Sequence, residues 1–123
     1  MAVLDIYKLA KSFRFAFRGF WYVVRNEQNI RLHLLASLFV IILIIYFNVA
    51  LWQAIILILV MMFVLVLELI NTVFEKMVDI LRPRIHYYAE VIKDVMAAAV
   101  LITSIGAVIV GILIFAPYFI ARW

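Results

Sequence analysis

LHLLASLFVIILIIYFNVALWQAIILILVMMFVLVL, the stretch from Leu32 to Leu67, runs for 36 residues without a formal charge. A helix crosses a bilayer in about 20 residues, so a run of this length predicts two spans. The turn between them is expected at Phe47-Asn48-Val49-Ala50-Leu51-Trp52-Gln53, where two strongly polar residues sit beside an interfacial aromatic. A further uncharged stretch, Val95 to Ala121, holds one more span that ends near Pro117. Of the 123 residues 71% are hydrophobic and only 15% charged, too apolar for the surface of a soluble domain of this size. The reading is a single all-α integral membrane domain covering residues 1–123, with transmembrane helices at about 30–48, 52–72 and 95–117.

Working outward, the charges are informative by position. Lys8, Lys11, Arg14, Arg18, Arg25 and Arg31 precede the first span, and Lys76, Arg82, Arg84 and Lys93 lie between the second and third. The turn between spans one and two has no Lys or Arg. The positive-inside rule therefore places the N-terminus and the second polar loop in the cytoplasm. Ile6, Leu9, Ala10, Phe13, Phe17, Phe20, Trp21 and Val24 follow one helical stripe with the basic residues largely off it. This predicts an N-terminal amphipathic helix at about 5–25, lying in the membrane interface. No cleaved signal peptide is expected, because basic and aromatic residues interleave where a short apolar core would be. The absence of cysteine excludes disulfide frameworks and thiolate metal sites.

The chemistry is expected where the second span surfaces. Glu68, Asn71, Thr72, Glu75 and Asp79 share one helix face, with Glu68 and Glu75 about 10 Å apart along the axis. A carboxylate directly after an apolar span is expensive to hold there and marks a functional site. Oxygen-only ligands suit a hard divalent cation, and Mg²⁺ is typically held by one or two carboxylates together with substrate phosphates. Arg82, Arg84, His86, Lys93 and Asp94 follow, a largely cationic cluster suited to phosphate oxygens and equally demanded by topology. Arg25 to His33 reads, on pattern alone, as a solvated bend. In the third span Ala97, Ser104 and Gly111 recur every seven residues, a small-residue face expected to meet another helix. Neither a Gly-x4-Gly-Lys loop nor a Gly-x-Gly-x-x-Gly turn is present, so a nucleotide site would be assembled from carboxylates, metal and cations.

Taken together, Glu68-x-x-Asn71-Thr72-x-x-Glu75-x-x-x-Asp79, then His86, then Lys93-Asp94 before a small-residue span, resembles the bacterial membrane-integral diacylglycerol kinase and undecaprenol kinase family. Ser12-Phe13-Arg14-x-Ala16-x-x-Gly19 and Asn26-Glu27 extend the resemblance to the N-terminal side, over nearly the whole chain. The resemblance implies a homotrimer with composite sites, ATP as phosphoryl donor, Mg²⁺ as cofactor and a membrane lipid alcohol as substrate. It implies a bacterial inner-membrane location with the site on the cytoplasmic side, and no nucleic-acid partner. Carried over, Glu68 falls on the general base, and Glu27 and Glu75 on carboxylates that hold magnesium at the ATP phosphates. Lys93, Asp94, Arg84 and His86 fall on the nucleotide side. Lys8 and Phe15 stand at positions that approach the nucleotide in relatives, although the residue types differ. Asn71, Arg14 and Arg31 fall on supporting, lipid-side positions.

Arg31-x-His33 after Glu27-x-Asn29 resembles the branch that phosphorylates undecaprenol; diacylglycerol is the alternative lipid. Two other classes stay open on sequence: a small channel with the carboxylates as an ion path, and a non-catalytic membrane scaffold. Clustering of the charges at one depth argues against the channel.

Overall fold

The computed structural model describes residues 3–122. Among them it is all helical, with three elements: α1 (Ile6–Asn26), α2 (Gln28–Phe47) and α3 (Leu51–Arg122). Asp5 starts α1 by accepting the Lys8 backbone N–H at 3.1 Å, satisfying one of the donors a helix start leaves free. Phe13, Phe17 and Trp21 are exposed along this helix, so its apolar stripe is not spent on packing within the chain. Glu27 ends α1 and begins α2. It is extended (φ −117, ψ 120), and its N–H still reaches the Val23 carbonyl at 2.8 Å. The Arg31 guanidinium turns back to the Val24 and Arg25 carbonyls at 3.3 and 3.1 Å, a cation on the carbonyl end of α1. That contact sets α2 against α1.

α2 is 20 residues long, and three residues separate it from α3. Asn48 makes the turn in the left-handed region (φ 49), which asparagine tolerates better than a branched residue. Gln53 then accepts the Ala50 N–H at 3.2 Å, the returning half of a capping box at the start of α3.

α3 has 72 residues, which would stretch about 108 Å if straight. It is not straight. The Tyr118 hydroxyl donates to Gln53 and accepts the Ala50 N–H at 3.3 Å, so the C-terminal part returns alongside the N-terminal part. The reversal lies at Ile85, the residue inside α3 with non-helical angles (φ −113, ψ 24). Pro83 stands two residues before it; a proline inside a helix removes a hydrogen bond and crowds the preceding turn. The polar stretch expected as a loop is therefore helix on both sides of one bend. Two ion pairs cross it, Arg82–Glu90 at 3.7 Å and Asp79–Lys93 at 2.7 Å.

At the opposite end of the molecule from the bend the three helical stretches close on each other. Val49, Leu57, Ile114 and Phe115 are buried together, with Phe47 packed against the rings of Phe115, Tyr118 and Phe119. Both α2 and α3 are long and apolar enough to cross a membrane. Much of their surface is exposed large apolar side chain, among them Leu35, Phe39, Phe63 and Ile109, which water does not accommodate at this density.

Tyr118→Phe removes the hydroxyl that ties the returning part of α3 to the α2–α3 turn. The expected loss is about 1 kcal/mol of stability, the net value of a hydrogen bond, read from reversible unfolding in mixed detergent micelles. An unchanged unfolding midpoint would mean that water replaces the hydroxyl at no cost.

Candidate active site

The first arm of α3, residues 51–84, carries Glu68 inward. Its side chain is 4% exposed, and Val64 and Thr72, one turn away on either side, are buried with it. The Thr72 hydroxyl donates to the Glu68 carbonyl at 3.1 Å, so its own polar group is met within the helix. One turn beyond, Asn71 donates to a Glu75 oxygen at 3.4 Å and orients that carboxylate. Glu27 is half-buried at the α1–α2 junction and makes no side-chain cap for α2, which leaves its oxygens available. Glu27 and Glu75 both stand near enough for their negative charges to act on Glu68. Three carboxylates from two parts of the chain therefore act on one region, with Glu68 and Glu75 two helical turns apart on the same arm. Among the described residues no three acidic or histidine groups are close enough to cage a metal ion by themselves. Two carboxylates suit a cation that brings its remaining ligands with a phosphate.

His33, from the first turns of α2, faces this group. Its Nδ1 lies 3.3 Å from Glu68 Oε1 and its Nε2 3.5 Å from the Ser104 hydroxyl on the second arm of α3. From there an apolar groove of about 570 Å³ runs along α2 and both arms of α3. Val40, Leu57, Val64, Gly111 and Phe119 are among its lining residues. Ser104 and Gly111 of the small-residue face thus line open space within this chain, and a Cβ added at Gly111 would meet nothing within 4 Å.

The second group lies by the bend. Lys93 is tied to Asp79, while Arg84, His86 and Asp94 are exposed nearby in sequence. Lys8, Arg14 and Phe15 lie on the exposed length of α1. Phe15 has Lys11 and Arg18 over its ring at 5.8 and 5.6 Å. Among the described residues no hydrogen bond or ion pair links the side chains of Lys8 or Arg14 to α3. Arg31, expected on the lipid side, has its guanidinium on the end of α1. So the chain brings together Glu27, Glu68, Asn71 and Glu75, and leaves the expected nucleotide residues spread over α1 and the bend.

The model of the family described as prokaryotic diacylglycerol kinase matches residues 14–115. The chain belongs to the prokaryotic diacylglycerol kinase family. Membership makes it a lipid kinase, and with its apolar helices it is a bacterial membrane protein. It is 35% identical to an undecaprenol kinase of Bacillus subtilis over 115 residues, 92% of each chain. It is also 36% identical to a diacylglycerol kinase of Synechocystis over 104 residues, 84% of this chain and 59% of that relative.

Sequence reasoning used His33 as the end of a solvated bend and to separate branches, and Ser104 only as a small residue. Thirty-five residues separate His33 from Glu68, so no periodicity joins them. One signal was available: His33 is the imidazole in a long, mostly aliphatic and aromatic run, and such a residue in a span usually has a partner.

The hydrogen bond from Lys93 holds the exposed Asp79 carboxyl below its ordinary value. A carboxyl lowered on folding stabilises the fold above its unfolded value, and that contribution is lost as pH falls through the lowered one. Lys93→Met is expected to return Asp79 to the usual carboxylate range in a ¹³C carboxyl NMR titration. If the Asp79 curve does not move, the pair does not persist in solution.

Proposed function

We propose that this lipid kinase transfers the γ-phosphate of ATP to a membrane lipid alcohol at the cytoplasmic face of the inner membrane, and that the alcohol is undecaprenol. The observation that carries the reading is the position of Glu68: a buried carboxylate against His33, which lines the polar end of an apolar groove, with two further carboxylates acting on it. A groove of this size and lining takes a hydrocarbon chain, and its polar end would present the chain's terminal hydroxyl to Glu68. Glu68 accepts the hydroxyl proton, the freed oxygen attacks the γ-phosphorus in line, and the bond to the β–γ bridging oxygen breaks, releasing ADP.

Glu27 and Glu75 would hold Mg²⁺ on the ATP phosphates, and the oxygen-only donor set fits that ion. When bound, the metal supplies neutralisation of phosphate charge. Lys93, Arg84 and His86 bind the nucleotide with Asp94, and Lys93 exchanges its Asp79 partner for phosphate oxygen. Lys8, Phe15 and Arg14 on α1 complete the site from a neighbouring copy in a homotrimer. Their separation from α3 within one chain and the unpartnered apolar stripe of α1 both favour that assembly. α1 lies in the membrane interface, and three spans cross the bilayer: α2 and the two arms of α3.

Undecaprenol is favoured over diacylglycerol by the Bacillus subtilis relative, whose match spans 92% of both chains. The Synechocystis relative keeps diacylglycerol as the second reading. Purified protein given labelled ATP, magnesium and both lipids side by side is expected to label undecaprenol preferentially. Preference for diacylglycerol would replace the substrate and keep the chemistry. Glu68→Gln is expected to fold and assemble normally while turnover falls on the order of 10²–10⁴-fold, the usual contribution of a positioned base. Full activity in that variant would remove Glu68 from the role.

A further inference from the structure

The transfer described above makes no use of His33, yet His33 has the closest approach to Glu68 of any charged or titratable side chain among the described ion pairs. Its ring joins three separately placed stretches: α2, which carries it, the first arm of α3 through Glu68, and the second arm through Ser104. Glu68 Oε1 and His33 Nδ1 are both buried atoms without a hydrogen-bond partner among the described residues. They face each other across 3.3 Å, out of the alignment a hydrogen bond requires. Buried polar groups are almost always satisfied, and each of these two atoms has the other as its nearest means of satisfaction. A small rotation of the ring would align them.

We propose that His33 is a positioning residue for Glu68: a neutral imidazole that donates its Nδ1–H to one carboxylate oxygen while its Nε2 accepts the Ser104 hydroxyl proton. The two partners select this tautomer, because a carboxylate only accepts and a hydroxyl is free to donate. The carboxylate is then fixed in rotation next to the head end of the groove, which His33 and Ser104 line. Partners of this kind fix the orientation of a reacting group, and their loss typically costs 10–100-fold in activity. The proposal rests on the reading of Glu68 as the base that accepts the lipid hydroxyl proton.

Three variants test it in the purified full-length protein, assayed with undecaprenol and Mg-ATP: His33→Leu, His33→Asn and Ser104→Ala. Asn can place an amide N–H near the position of Nδ1; Leu keeps apolar bulk and donates nothing. The expected result for His33→Leu is a fall in kcat on the order of 10–100-fold, with KM for ATP unchanged. His33→Asn is expected to recover most of the lost kcat, and Ser104→Ala to fall by a smaller factor. Equal activity of Leu and Asn variants, at any level, would overturn the positioning role. A readout independent of turnover uses ¹⁵N-histidine NMR of the unliganded protein. His33 is expected as the Nδ1–H tautomer, shifting toward Nε2–H in Ser104→Ala; an Nε2–H tautomer in the unmodified chain would sink the proposal even in an active enzyme. Conversely, an Nδ1–H tautomer in a folded protein that phosphorylates no lipid alcohol would keep the bridge and discard the kinase site as drawn.

Discussion

The reversal of α3 at Ile85 is the constraint on which the other features depend. A helix propagates cheaply once started, because each added residue contributes a hydrogen bond, and the 72 residues from Leu51 to Arg122 lose helical geometry at one point. That point converts a rod into two arms. Without it Ser104 would not stand near His33, nor Tyr118 near Gln53, since both contacts join the second arm to residues more than sixty positions earlier. Two ion pairs also span the bend, Asp79 with Lys93 and Arg82 with Glu90, and tie its two sides together.

The two ends of the arms are built differently. Near the α2–α3 turn, contact is aromatic and aliphatic, centred on Phe47 and Phe115. Near Glu68 it is polar and sparse, made of His33, Ser104 and the flanking carboxylates. Between them the helices stand apart and leave the groove. In a bilayer, helix association rests on close packing and hydrogen bonds, because lipid tails are as apolar as leucine. A packed end and an open end therefore suit a chain that must hold its shape while admitting a lipid from the side.

How much of this was legible in the sequence follows from the range of each signal. The uncharged run, the polar pair at Asn48 and Gln53 and the stripe on α1 are local patterns, and all fall in or beside the elements they announced. Glu68, Asn71 and Glu75 could be grouped because helical spacing alone puts them on one face. Glu27 joined them only by resemblance, since nothing in its own neighbourhood points at α3. The bend was misread as a loop: charge and two arginines around Pro83 look like solvated coil, while the backbone there stays helical on both sides of Ile85. The His33–Glu68–Ser104 bridge was out of reach, because it needs the reversal first.

One residue, Glu27, separates α1 from α2, and it is itself one of the three converging carboxylates. A longer linker would absorb changes in the angle between the two helices. Here there is no slack: the backbone of Glu27 is the pivot, Arg31 ties the start of α2 back to the last carbonyls of α1, and α1 is a lever 21 residues long. Any tilt of that lever against its surroundings is delivered to the carboxylate at its fulcrum.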